Sequence, residues 1–183
     1  MALKNSQLMV VSCGLAVQAF CLVVINAFVA KLVGADTIWI AFQAWAVYFL
    51  VGCNVMGGIK AWLGYASGIA ISILITKLMG LLGGISWIPS PDKMGGINLV
   101  MAIAVFIAVF PAIMSENLKN LIPCLFIGSG AFFGLSSIDF GGETGKLSLL
   151  SATYVELVYC ALGLLFGWIT VFWRGKYEAS LSK

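Results

Sequence analysis

The sequence predicts an all-α integral membrane protein of about six transmembrane helices, arranged as two inverted three-helix repeats whose second helices are short or interrupted. Three observations predict it. Of 183 residues, 62% are hydrophobic and only 9% charged, where water-soluble domains carry about a quarter charged residues. Apolar runs recur along the chain, separated by short polar stretches. Finally, the segment Phe42 to Lys60 comes back in altered form in the second half. Displacement by 84 residues takes Ile38 to Ile122, Phe42 to Phe126, Phe49 to Phe133, Gly57-Gly58 to Gly141-Gly142, Leu63 to Leu147 and Ser67 to Ser151, with Tyr48 falling on Phe132.

The elements follow in order. Leu8 to Ala30 is long enough, at about 1.5 Å per residue, to cross an apolar core of about 30 Å. Lys4 in front gives it the look of a signal peptide, but the apolar run is too long for one and further spans follow. After the turn Lys31 to Asp36, Thr37 to about Asn54 forms the second span, with Trp39 at headgroup level. Gly57 to Lys60 interrupts the pattern, and Ala61 to about Leu82 forms the third span, with Lys77 able to snorkel.

The connection 83–96, carrying Trp87, Pro89, Pro91, Asp92 and Lys93, divides two repeats of about 8–82 and 97–173 within one polytopic domain spanning 1–183. Ile97 to Met114 is the fourth span, kinked or ended by Pro111. The fifth, Ile122 to about Leu135, is short for a full crossing, with Pro123 in its first turn. Ser136 to Lys146 is polar and glycine-rich, and Leu147 to Trp173 makes the sixth span before a charged tail. Lys4, Lys60, Lys119, Arg174, Lys176 and Lys183 lie on one side, against Lys31, Lys77, Lys93 and Lys146 on the other. The excess of positive charge places both termini in the cytoplasm.

Composition also excludes functions. The net charge of +3 is scattered, without the basic cluster that nucleic acid requires. The chain has no histidine, which removes His-based metal sites, proton shuttles and triads. Cys13, Cys21, Cys53, Cys124 and Cys160 sit in apolar runs without paired spacing and read as buried small hydrophobes. No enzyme activity and no cofactor are expected.

Glu156 is the acid placed deep inside a predicted span, where a carboxylate is expensive and by default marks function. Its alternative is structural, a hydrogen bond to Tyr154, Ser72 or Thr76. Gln43 and Asn54 flank the aromatic pair Tyr48-Phe49, and Gln18 and Asn26 lie on the first span. Amides of this kind line pathways or tie helices together. Tyr48, Phe49, Phe132 and Phe133 can form constrictions, with Gly57, Gly58, Gly141 and Gly142 at the two breaks. The pairs Gly64 and Gly68, Gly130 and Gly134, and Gly163 and Gly167 have the spacing of close helix contacts.

Three crossings per repeat force the second repeat to enter from the opposite side, and paired interrupted helices then point to a site between the halves. The first reading is therefore a channel or facilitator for a small neutral or singly charged solute. A proton-coupled secondary transporter using Glu156 is the alternative, and a non-transporting scaffold that binds a partner protein is the third. The lipid bilayer, a small solute and further copies of the chain in a homo-oligomer are the expected partners.

The segment Tyr48-Phe49 followed by Gly57-Gly58-Ile59-Lys60, then Ile122-Pro123 leading into Phe126-Ile127-Gly128 and Phe133-Gly134, and finally Gly163 to Trp168 (GLLFGW), resembles the YcdZ-like bacterial inner-membrane family, a domain of unknown function. The resemblance runs from about Thr37 to Trp168. This chain has a longer connection after Phe133-Gly134 and a longer middle loop. The resemblance implies a small polytopic protein of the bacterial inner membrane, and it brings no substrate or catalytic residues.

Overall fold

Each apolar run becomes a helix, in which the backbone satisfies its own hydrogen bonds. The computed structural model describes residues 5–86, 88–89, 93, 98–115, 121–140 and 145–181. Among these lie six helices: α1 (Asn5–Val33), α2 (Ile38–Leu50), α3 (Val55–Leu82), α4 (Leu99–Met114), α5 (Ile122–Ser137) and α6 (Leu149–Leu181). Of these, α1, α3 and α6, with 29, 28 and 33 residues, are long and apolar enough to cross a membrane. The other three are apolar but shorter, and α2, with 13 residues, reaches only about 20 Å.

Several boundaries differ from the sequence expectation, each for a local reason. The break between α2 and α3 is Val51 to Asn54, where Gly52 and Cys53 take φ values of +97° and +56°. The Asn54 side chain then caps α3 by accepting from the Gly57 N–H at 2.8 Å, a standard N-cap bond. Gly57 and Gly58 therefore lie in the first turn of α3 rather than in a break. The Val51 carbonyl occupies the space a side chain on Gly57 would need, and the Tyr48 ring comes within 3.1 Å of a Cβ on Gly58. Gly141 and Gly142 lie outside the described residues.

The other differences are at helix ends. Pro111 sits inside α4, which runs on to Met114. The expected charged tail is instead the last part of α6, continuing to Leu181. There Arg174 Nε donates to Glu178 at 2.7 Å, Trp173 stacks on Tyr177, and Lys176 lies over the Phe172 ring.

Contacts along the helices fix their directions. Residue numbers rise together where Ala35 meets Tyr159 and Trp45 meets Thr170, so α2 runs parallel to α6. They run oppositely where Gln18 meets Thr170 and Asn26 meets Tyr159, so α1 is antiparallel to α6. Gly64 abuts Cys124, Gly68 abuts Leu125, and Ser72 bonds Ser129, which makes α3 parallel to α5. Gly58 and Gly167 both abut Tyr48, while Trp62 reaches Leu157, so α3 is antiparallel to α6.

The two closest helix crossings are built alike. Gly68 of α3 lies against the Leu125 carbonyl and the Gly128–Ser129 backbone of α5, and Gly163 of α6 lies against the Ala41 carbonyl and Ala44 of α2. Displacement by 84 residues takes Ala41 to Leu125 and Ala44 to Gly128, whereas 95 residues take Gly68 to Gly163. The single displacement read from the sequence thus describes α2 and α5 but not α3 and α6. Most of the change comes from the longer second connection, 138–148 against Val51 to Asn54, and the rest mainly from α5, with 16 residues against 13 in α2. Around the core of α2, α3, α5 and α6 lie α1 and α4, each mostly exposed apolar surface, including Phe20, Phe28, Phe106 and Phe110.

Candidate functional site

Where α3 crosses α6, the Trp62 indole donates to the Leu157 carbonyl at 3.3 Å. The neighbouring residue on α6 is Glu156, with no exposed surface. Neither carboxyl oxygen has a hydrogen-bond partner, and the buried hydroxyls of Tyr65 and Tyr48 are also unpartnered. Tyr65 on α3 lies within electrostatic reach of Glu156, of Cys160 one turn further along α6, and of Cys124 on α5. Tyr48, Tyr65, Cys124 and Cys160 pack in one buried cluster with Ala44, Val47, Ala61 and Leu164. The α3–α6 crossing, with Cys124 of α5 close to Tyr65 and Cys160, thus buries a carboxyl that has no hydrogen-bond partner.

The hydrogen-bonded polar ties between helices among the described residues contrast with this. Tyr159 donates to Asn26 Oδ1 at 2.7 Å, and Asn26 donates to Asp36 at 2.9 Å. Thr170 receives the Trp45 indole N–H at 3.0 Å and lies 2.6 Å from Gln18 Oε1. Ser129 donates to the Gly68 carbonyl at 2.9 Å and Ser72 to the Ser129 carbonyl at 3.3 Å. These bonds hold helices together, as polar groups in spans commonly do. The hydroxyls expected as structural partners of Glu156 are engaged elsewhere or face outward: Ser72 as above, Thr76 on the Ser72 carbonyl at 2.9 Å, and Tyr154 about half exposed.

The remaining sequence-derived residues divide by side of the helix. Gln43 and Asn54 are exposed. Of the aromatic pairs, Tyr48 and Phe132 point inward, while Phe49 is exposed and Phe133 half-buried. Adjacent residues on an α-helix point about 100° apart, so the four rings do not encircle one passage. Gly64, Gly68, Gly163 and Gly167 lie at close helix contacts, Gly134 touches the Trp39 ring, and Gly130 faces open space.

Three residues of the site went unnoticed in the sequence. Tyr65 follows Gly64 directly, and Glu156 and Cys160 share the i, i+4 spacing of one helix face, but only the α3–α5 crossing brings Cys124 beside them. That crossing depends on Gly128, where an added Cβ would lie 2.8 Å from the Tyr65 backbone. A cleft of about 480 Å³ at the α2–α3 break, lined by Gly52, Gly57, Lys60, Pro123 and Cys124 among others, leads in from the end that carries Lys60. Among the described residues no three potential metal ligands cluster.

The fold and site define a helical protein with three helices long and apolar enough to cross a membrane and, on α6, a buried carboxyl without a hydrogen-bond partner. The chain belongs to the family described as "Protein of unknown function (DUF1097)", which matches residues 16–173. No curated protein and no solved structure matches it.

Proposed function

We propose that this protein is a proton-coupled secondary carrier for a small solute, embedded in the membrane, with Glu156 as the coupling group. The observation that carries the reading is the Glu156 carboxyl, fully buried with both oxygens unpartnered. An ionised carboxylate left alone in such a place is heavily penalised, so the group must be protonated or paired with a bound cation. A fold keeps such a group where its change of state is used.

The inverted repeat supports this reading. Exchanging α1 with α4, α2 with α5 and α3 with α6 leaves the set of packed helix pairs unchanged: α2 on α6 becomes α5 on α3, and α3 on α4 becomes α6 on α1. The Trp62–Leu157 contact maps onto itself, since the same displacement of 95 residues that relates Gly68 to Gly163 relates Trp62 to Leu157. Glu156 is therefore beside the pseudo-two-fold axis, where carriers of this plan hold their substrates and rock one repeat against the other. The alternating directions of α1, α2, α3, α5 and α6 fit six crossings. With the YcdZ-like resemblance and the lysine distribution, the reading places the protein in a bacterial inner membrane with both termini cytoplasmic.

A coupled carrier accounts for a packed interior better than an open channel does, because carriers close the site from one side before opening it to the other. The test is uptake into proteoliposomes with an entrapped pH dye, challenged one at a time with small neutral and singly charged solutes. A pH gradient is expected to drive accumulation of at least one of them, with Glu156→Gln abolishing the coupling. Uptake indifferent to the gradient and unchanged in Glu156→Gln would overturn the reading.

A further inference from the structure

We infer that the ion exchanged for a proton at Glu156 is a small ammonium ion, ammonium itself or a short alkylammonium. The inference rests on the carrier reading and names its substrate class.

Charge balance argues first. A carboxyl buried without a partner is stable in two forms, protonated or ion-paired with a single positive charge, and both are neutral overall. Binding a monovalent cation while releasing one proton to water passes between them, one positive charge replacing another. The site then carries no net charge in either form. An anion would be repelled, and a divalent ion would leave an excess charge buried.

The surroundings choose among monovalent cations. Glu156 offers two acceptor oxygens and Tyr65 offers a third, and none of the three has a partner. Ammonium N–H groups are directional donors that suit a few oxygens. An alkali ion instead needs a surrounding ring of oxygens, such as carbonyls that replace its hydration shell. Tyr65 and Cys160, which lie within electrostatic reach of the carboxyl, pack in a cluster with Ala61 and Cys124, surfaces that accommodate methyl groups and give an alkali cation nothing. The ring of Tyr65 in the same cluster adds a negative π-face of the kind that attracts alkylammonium ions. Size is limited by backbones in contact, with Gly128 against Tyr65 and Gly64 against Cys124. Either would have to separate to admit a bulky amine.

The titratable groups within electrostatic reach of Glu156 among the described residues are Tyr65 of α3 and Cys160 of α6. Tyrosine and cysteine side chains are ordinarily neutral at physiological pH, so the carboxyl alone is expected to exchange the proton.

The experiment is calorimetric titration of the full-length protein in detergent with methylammonium chloride, in two buffers of different ionisation heat, at pH values from 6 to 9. Saturable binding is expected, with one proton released per ion and an affinity that rises with pH until the carboxyl ionises unaided. Sodium and potassium chloride at equal ionic strength are expected to give neither. Glu156→Gln should abolish binding, and Tyr65→Phe should weaken it about tenfold or more, the usual effect of losing a hydrogen bond to a charged group. Should Glu156→Gln fail to fold, Glu156→Asp and Tyr65→Phe carry the same test. Methylammonium binding unaltered in these variants, or proton release by sodium or potassium in its place, would overturn the inference. Binding with proton release but no uptake by vesicles would overturn the carrier reading and leave this site standing. Gradient-driven uptake of another solute without methylammonium binding would overturn only the ammonium assignment.

Discussion

The Leu125 carbonyl of α5 occupies the space into which any side chain on Gly68 of α3 would project. Backbone carbonyls cannot rotate away as a side chain can, so an added methyl must push the helices apart. Overpacking of this kind costs about 1–3 kcal/mol. Gly68→Ala and its counterpart Gly163→Ala are each expected to lower the thermal midpoint of the purified protein by several degrees. Gly130→Ala is the control, since nothing lies within 4 Å of its Cβ position and alanine favours the helix by up to about 1 kcal/mol. The three midpoints, measured in one detergent, check the close approach directly.

Thr170 ties three helices, receiving the Trp45 indole of α2 and reaching Gln18 of α1 from α6. Thr170→Val keeps the shape but leaves the buried indole N–H without an acceptor, which costs about 1–3 kcal/mol. Tyr159→Phe removes the donor to Asn26 Oδ1 and to the Ala35 carbonyl, but leaves two acceptors rather than a buried N–H unpaired, a state proteins tolerate more readily, so about 1 kcal/mol is expected. Denaturation of the two variants should therefore rank Thr170→Val as the more damaging. The reverse order would mean that Gln18 or another group takes over the indole.

The helices were legible because each apolar run bounded by polar residues marks one, and α1, α4 and α5 lie within a few residues of where the sequence puts them. The start of α3 was not. A glycine pair reads as a break when its neighbours are unknown, whereas Asn54 four residues before Gly58 caps a helix that tolerates both glycines. The correspondence of α3 with α6 was blurred for a similar reason: the longer α5 and the longer connection after it change the displacement from 84 to 95 residues, so the matches at Leu147 and Ser151 compare residues with different places in the fold. Glu156 stood out by its charge. Tyr65, Cys124 and Cys160 did not, because tyrosine and cysteine are unremarkable in an apolar run and only the α3–α5 and α3–α6 crossings assemble them.

A site kept for function is expected to lower stability. Glu156 holds two unpartnered oxygens out of water, and a buried polar group left in that state costs about 1–3 kcal/mol. Replacing buried ionisable groups by apolar ones of similar volume is often stabilising. Glu156→Met should therefore raise the thermal midpoint while abolishing proton-coupled activity, the exchange of stability for function that active sites commonly show. A lowered midpoint would mean that the carboxyl has a structural partner, such as a held water, and that its burial is not evidence of a working site.

Cys53 offers a test of orientation. It is exposed at the α2–α3 break and lines a cleft of about 500 Å³ with Arg174 and Glu178 near the end of α6, so that break and the C-terminus share one end of the molecule. Cys124 and Cys160 are buried, whereas Cys13 and Cys21 are exposed on α1, a helix long and apolar enough to span a membrane, where lipid would cover them. A membrane-impermeant maleimide added to intact cells should thus leave the protein unlabelled, and permeabilisation should expose Cys53 first, with Cys53→Ser abolishing the signal. Lys146→Cys, placed in the connection before α6 in a background carrying Cys53→Ser, should react without permeabilisation. Labelling of Cys53 from outside would invert the orientation drawn from the lysines. Labelling of both positions from one side would mean an even number of crossings among α3, α4 and α5, and would deny the inverted repeat on which the carrier reading depends.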